Sequence, residues 1–186
     1  QNCPYIASKC VNIMKRRVKH GNMAPKIDIL KAFDTIKWNF IFSVTRVRFS
    51  NNLVNLISYI LKSSMLSVLI NGSPRGFSHC PRGVQKGDPL SSLLFSIAED
   101  YLSACLCDLV QVGLYQQMNV GRDLFAPHLL YEDAILLFGK AEQGTILNFK
   151  AVFKHYENVA GQLINWEKSS VIFGEGVIIS RQNRVA

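Results

Sequence analysis

The chain has 186 residues, which is enough for one domain with its own hydrophobic core. Hydrophobic residues make up 48% and charged residues 18% of the sequence, which excludes an intrinsically disordered protein, and no apolar run is long enough to span a membrane. The net charge of +8 and the pI of about 9.4 favour a partner that carries phosphate, although solubility alone would also explain them.

The cysteines number five, and no pair of them has the spacing of a zinc site. They are Cys3, Cys10, Cys80, Cys105 and Cys107. We expect five free thiols in a reducing compartment, and therefore an intracellular protein of the nucleus or cytoplasm that is not secreted. The first four residues contain no initiator Met and no signal-peptide pattern, which indicates a chain that begins inside a longer reading frame.

The first third of the chain predicts a helix, a strand and two more helices. Residues 5–20 have apolar side chains at helical spacing and end in the basic cluster Lys15, Arg16, Arg17 and Lys19, which is either a solvated face or a nucleic-acid contact. Residues 25–30 predict a short strand that carries an acid, and residues 38–49 predict a helix. The next helix carries an apolar stripe that we expect in the core: Leu53, Leu56, Ile57, Ile60 and Leu61.

The middle of the chain predicts a strand pair and a long helix. Residues 65–70 and 77–80 favour two strands joined through Asn71-Gly72, a strong turn pair. Asp88 is well placed as a helix N-cap, with Pro89 at the first helical position. The helix then runs through Cys105, and residues 111–127 predict irregular structure.

The last third is organised around the stretch from His128 to Phe138, where two short apolar runs flank Glu132-Asp133. This pattern predicts a β-hairpin whose strands are buried on both faces and whose turn presents a carboxylate, although the two acids could equally be ordinary turn residues. A helix over 144–159, a stop at Gly161 and a strand over 171–173 follow. The order of elements predicts an α+β fold compatible with a split βαβ, or ferredoxin-like, core.

Four stretches of the sequence, in this order, resemble the motifs of a reverse transcriptase, and most of all the polymerase of LINE-type (non-LTR) retrotransposons. They are residues 26–34 (KIDILKAFD), 82–91 (RGVQKGDPLS), 131–134 (YEDA) and 161–169 (GQLINWEKS), and the spacer at 71–74 also fits. The resemblance implies RNA-directed DNA polymerase activity, which is a nucleotidyl transfer, on a right-hand polymerase palm with a partial fingers region. It implies one partial domain over residues 1–186, with a fingers remnant at 1–24 and the palm at 25–186.

The resemblance also implies partners and a metal. The partners are an RNA template, a DNA primer and a deoxynucleoside triphosphate, with no membrane, and the oligomeric state is left open. Two magnesium ions would steady the attacking and leaving oxygens, and magnesium takes carboxylate oxygens. Asp28 and Asp133 match the family's metal ligands, so we expect these two side chains to converge.

The remaining site residues are also carried over by motif. Lys168 matches a lysine near the leaving pyrophosphate, although a surface lysine is an equal rival. Phe33 matches the aromatic under the sugar, where it would clash with a ribose 2′-OH, and it could pack the core as well. Five residues are expected at the template or nucleotide: Arg82, Gly83, Lys86, Gly87 and Tyr131, the two glycines by permitting close backbone approach.

The sequence departs from the family at three places. Ala134 stands where the family has the last aspartate of its Tyr-Ala-Asp-Asp box, Lys86 stands in place of a glutamine that here lies one residue earlier, and Ser92 replaces a proline. A one-residue slip of the hairpin would bring Glu132 and Asp133 into the acid pair, but it would also turn every flanking side chain to the other face. We therefore expect a polymerase domain with impaired catalysis, and the alternatives are an inactive palm that binds nucleic acid or a relic without function.

Overall fold

The computed structural model describes residues 3–14, 21–118, 127–131 and 134–185. The helices are α1 (Cys3–Met14), α2 (Ala32–Thr35), α3 (Trp38–Arg48), α4 (Asn51–Ser63), α5 (Pro89–Gln111), α6 (Gln143–Ala160) and α7 (Ile179–Val185). The strands are β1 (Asn22–Leu30), β2 (Met65–Ile70), β3 (Ser73–His79), β4 (His128–Tyr131), β5 (Ala134–Leu137), β6 (Gly139–Lys140), β7 (Leu163–Ile164) and β8 (Ser170–Phe173).

The main sheet has the strand order of a split βαβ fold. Strands β4, β5 and β1 lie side by side, β6 continues β5 along the same edge of β1, and β7 and β8 pair with the opposite edge, all of them antiparallel to β1 except β4, which is antiparallel to β5. Helix α5 lies in the chain between β1 and β4, and α6 between β5 and β8, so each connection skips the strand in between. The predicted α+β, ferredoxin-like topology is therefore confirmed.

The two faces of this sheet are covered unequally. Ile27, Ile29, Ile135 and Leu137 point to one face and join the large core with side chains from α3, α5 and α6. The opposite face carries a smaller cluster in which α1 packs on Ala24, Leu129 and Leu136. Because α1 covers only this part, the rest of the second face, towards the end of β1, stays open.

Local sequence signals explain most of the element boundaries. Asp88 accepts a hydrogen bond from the backbone N–H of Leu90 at the start of α5, with Pro89 at the first helical position, as predicted. Asn71 and Gly72 both have positive φ (49° and 78°), as the turn of the β2–β3 hairpin requires. Gly161 ends α6 in the left-handed region.

The basic cluster that the sequence predicts at the end of the first helix, Lys15, Arg16, Arg17 and Lys19, lies outside the described residues.

The expectation that the α4 stripe is all core is wrong in part. Ile57 and Leu61 are buried, but the outer half of the stripe is not: Leu56 is 54% exposed, and Leu53 and Ile60 are each 38% exposed. Helix α4 packs on α3 along one side. Because the apolar stripe is wider than this contact, its outer residues are exposed to solvent. The β2–β3 hairpin beside it is exposed throughout.

Two further expectations concern thiols and membranes. Cys10, Cys80, Cys105 and Cys107 are free, while the side chain of Cys3 lies outside the described part of the chain. No helix among the described residues combines the length and the apolar character needed to cross a bilayer.

Candidate active site

The open face of the main sheet carries Asp28, one of the three residues that the sequence predicted for catalysis. Side chains alternate along β1, so Asp28 and Leu30 lie on the face opposite to Ile27 and Ile29. Leu30 is 41% exposed and Tyr131 of β4 is 59% exposed on this face. This face therefore presents one carboxylate among exposed apolar and aromatic side chains.

A turn between β7 and β8 holds the backbone of Asp28. The N–H of Asp28 donates to Ser169 Oγ at 3.1 Å, and its carbonyl accepts from the N–H of Asn165 at 2.8 Å. Ser169 closes the turn by donating from both its N–H and its hydroxyl to the carbonyl of Asn165, at 3.0 Å and 2.7 Å. The turn therefore fixes the position from which the Asp28 carboxylate projects.

Ala134 lies directly opposite Asp28 in the neighbouring strand. The register of β1 and β5 pairs Asp28 with Ala134 and Ile27 with Ile135. Both backbone polar groups of Asp28 point away from β5, towards the 165–169 turn, so this is a non-hydrogen-bonded pair, the type in which side chains come closest. The methyl group of Ala134 thus occupies the place nearest to the Asp28 side chain on the same face.

The tip of the hairpin, Glu132 and Asp133, lies outside the described residues, so the predicted approach of Asp133 to Asp28 stays a prediction. The flanking strands do show the predicted hairpin, with Tyr131 paired to Ala134. They also show the unslipped register, because Ile135 is 1% exposed and faces the core, which a slip of one residue would reverse.

The described part of the site offers few side chains that could bind a metal ion. No group of three or more His, Cys, Asp or Glu side chains that could hold a metal occurs in the described ranges. At this site they supply one carboxylate, Asp28, with the methyl group of Ala134 beside it. The described part of the site therefore supplies one of the carboxylates that a magnesium ion takes, and the second predicted ligand, Asp133, lies outside it.

Phe33 combines the two roles left open by the sequence. Its ring stacks on Phe95 of the core with centroids 4.4 Å apart, and its carbonyl accepts from the N–H of Val84 at 2.8 Å. The ammonium of Lys86 lies 5.9 Å from the ring centroid, within the range of a cation–π contact. Phe33 is therefore half-buried and contacts both the core and the loop at 81–88.

Gly83 is required by the protein's own backbone. Its φ is +82°, and a Cβ there would lie 2.6 Å from the carbonyl oxygen of Asp34. Its carbonyl accepts from the indole N–H of Trp38 at 2.7 Å, and its N–H donates to the carbonyl of Ile36 at 2.8 Å. Gly87, with φ +97°, has open space around it, so of the two glycines only Gly87 leaves room for a ligand.

Three other predicted residues are exposed at the surface. Arg82 and Lys86 are exposed on the loop before α5. Lys168 is exposed on the turn that holds Asp28, where its N–H donates to Asn165 Oδ1 at 3.3 Å. The fold thus brings Asp28 and Tyr131, from two distant segments, to one face of the sheet, and it places Lys168 on the turn that binds the Asp28 backbone.

The buried hydrogen bonds of Gln162 could not be predicted from the sequence. Gln162 is fully buried, donates to the carbonyl of Ala32 at 2.7 Å and accepts a hydrogen bond from the hydroxyl of Tyr156. Burial raises the pKa of the Tyr156 hydroxyl, so this group stays a neutral donor. In the sequence, Gln162 is recognisable only as an amide that follows the helix-ending Gly161. That position does not predict which groups its side chain will bind.

Positive charge is concentrated on the segment that precedes α5. Between Asp34 and Asp88 the sequence has no acidic residue and seven basic ones, so this segment supplies most of the net charge of +8. The seven are Lys37, Arg46, Arg48, Lys62, Arg75, Arg82 and Lys86. In the structure Arg48 pairs with Asp100 of α5 at 2.5 Å. The remaining surplus of positive charge favours an anionic partner.

The fold and this face together define a palm of the polymerase type, an antiparallel sheet with helices behind it and an acid on its open side. Residues 3–183 match the family model described as reverse transcriptase (RNA-dependent DNA polymerase). The chain belongs to the reverse transcriptase family.

Solved structures of telomerases are similar to this chain. Apo telomerase from Candida tropicalis, truncated from its C-terminal domain, has a TM-score of 0.66 at 16% identity over 93% of this chain and 35% of its own. Telomerase from Candida albicans, in complex with a TWJ fragment of telomeric RNA, has a TM-score of 0.60 at 14% identity over 91% of this chain and 29% of its own. These likenesses confirm the palm fold, and the chain spans about a third of the length of the telomerases it matches.

Proposed function

We propose that this chain is a reverse transcriptase palm that binds template and primer across the open face of its sheet and adds nucleotides weakly or not at all. One observation carries the proposal: Ala134 lies directly opposite Asp28, at the place nearest to its side chain. A second carboxylate there would share a cation with Asp28, whereas a methyl group offers no ligand. Family membership and the cationic segment before α5 support the binding of nucleic acid.

In this proposal Asp28 and Asp133 are the two remaining acids of the site, and they hold magnesium weakly together with the triphosphate of the incoming nucleotide. Phe33 lies under the sugar and favours a deoxynucleotide, because a 2′-OH would meet its ring. Lys168 faces the leaving phosphates, and Lys86 and Arg82 contact the template strand. The magnesium ion, when bound, supplies the charge that steadies the reacting oxygens.

Nucleotide addition is tested by primer extension on an RNA template with magnesium. Loss of one preorganised electrostatic group costs about 3–4 kcal/mol, which is on the order of a hundredfold or more in rate. We expect near-background extension by the natural sequence and a clear rise for Ala134→Asp, with Ala134→Asn, of matched size and no charge, as the control. Equal extension by all three proteins would contradict the role given to this position.

Binding is tested separately by fluorescence anisotropy with an RNA–DNA template–primer at several salt concentrations. A steep loss of affinity with rising salt is expected, since each phosphate contact releases counterions. Lys86→Ala should reduce the slope of log K against log salt by about 1, whereas Lys154→Ala, on a helix behind the sheet, should leave it unchanged. No binding at low salt would favour a relic without function over a nucleic-acid-binding palm.

A further inference from the structure

A cavity of about 630 Å³ lies behind the open face, between α6 and the covered side of β1 and β8. Its walls are mainly apolar side chains: Pro25, Ile27, Phe149, Phe153, Trp166 and Val171. This volume lies in the usual range of small-molecule sites, about 300–1,000 Å³, and such sites are typically apolar with a few polar groups.

Polar groups of α6 complete the lining. Lys150 and Lys154 lie beside Glu157, whose carboxylate is satisfied twice, by Lys154 Nζ at 3.2 Å and by the N–H of Ile164 at 3.0 Å. Lys154 and Glu157 cancel in charge, so the exposed Lys150 leaves the lining with one net positive charge. An apolar interior with a single positive charge is complementary to a monoanion with an apolar body.

The turn that fixes Asp28 forms one wall of the same cavity. Ser169 and Trp166 belong to this turn and also line the cavity. The Ser169 hydroxyl accepts a hydrogen bond from the backbone N–H of Asp28. A ligand in the cavity therefore contacts the element that positions the acid on the other side of the sheet.

We propose that this cavity is a binding site for a small amphipathic monoanion, a carboxylate with an aliphatic chain of medium length. The chain packs among the phenylalanines and Val171, and the carboxylate lies at the mouth beside Lys150. The proposal does not rest on the polymerase reaction, because the cavity lies on the covered side of the sheet and the Asp28 side chain projects from the other side.

The probe is decanoate, titrated into the 186-residue chain and followed by ¹H–¹⁵N NMR. We expect saturable shifts at residues 149–154 and 166–171, with a smaller shift at the Asp28 amide that reports the contact through Ser169. Nonyltrimethylammonium, with the same nine-carbon chain and the opposite charge, should bind more weakly. Shifts confined to the exposed β2–β3 hairpin, or equal affinity for both probes, would overturn the proposal.

Two matched substitutions on β8 locate the site. Val171→Trp fills the cavity and should abolish decanoate binding, whereas Ile172→Trp places the same ring on the other face of the sheet and should leave it intact. Lys150→Glu reverses the charge at the mouth and should weaken decanoate about three- to tenfold while strengthening the cationic probe. Circular dichroism checks that each variant is folded, and because Lys150 is exposed its variant decides the question even if Val171→Trp does not fold.

Discussion

Replacing Ala134 by aspartate tests the central geometry of the candidate site without any need for catalysis. In a non-hydrogen-bonded pair the Cβ atoms are about 4.5–5.5 Å apart, so the new carboxylate would lie about 5 Å from that of Asp28. At this separation two unit charges repel by about 0.8 kcal/mol at the dielectric constant of water and by about 3 kcal/mol at an effective value of 20. Ala134→Asp should therefore lower the free energy of unfolding by about 1–3 kcal/mol in a chelator.

Magnesium should remove this penalty, because it binds between the two carboxylates of the folded protein. Binding at a hundred times the dissociation constant stabilises by about 2.7 kcal/mol, a shift of roughly 5–10 °C in Tm for a chain of this size.

The assay is thermal unfolding followed by circular dichroism, with EDTA or with a magnesium titration, for the natural sequence, Ala134→Asp and Ala134→Asn. The asparagine variant controls for size and should show no gain from magnesium. If Ala134→Asp were as stable as the natural sequence in EDTA and gained nothing from magnesium, position 134 would not face Asp28, and the proposed loss of a metal ligand would have no basis.

Three further outcomes follow from particular contacts. Gly83→Ala should cost about 3 kcal/mol or more of unfolding free energy, since strain and a backbone clash add, while Gly87→Ala should cost about 1 kcal/mol from strain alone; urea unfolding compares the two. Ser169→Ala should cost about 1–2 kcal/mol and speed amide exchange at its β1 partner, whereas Ser170→Ala, its exposed neighbour, should change neither. Burial, with a smaller effect of a neighbouring acid, raises the pKa of the Glu99 carboxyl from 4.5 to about 7. Stability should therefore fall as the pH rises from about 4.5 to about 7, and Glu99→Gln should remove up to about 3 kcal/mol of this loss at pH 8.

Each of these outcomes has a result that would contradict its reasoning. Similar costs for the two glycine variants would mean that the loop before α5 does not press against the turn after β1. An equal effect of the two serine variants would mean that the turn does not hold Asp28. A pH dependence that survives in Glu99→Gln would assign the titration to another group.

Much of the fold could be predicted from local patterns. The N-cap at Asp88, the Asn71-Gly72 turn and the stop at Gly161 lie where the structure has them, because capping and turn geometry depend on a few neighbouring residues. The short strands β6 and β7 and the last helix, α7, were missed, since two-residue strands are defined by their partners rather than by their own sequence.

The sequence by itself determined the family and the residue types of the site, including the alanine that replaces an acid, because these are facts of chemical identity and order. Only the tertiary structure decided that this alanine is the direct neighbour of Asp28, that Ser169 and Asn165 hold the acid's backbone, and that half of the α4 stripe is exposed. Register, hydrogen bonding across the chain and burial all depend on which distant segments meet, and no local pattern of side chains specifies that.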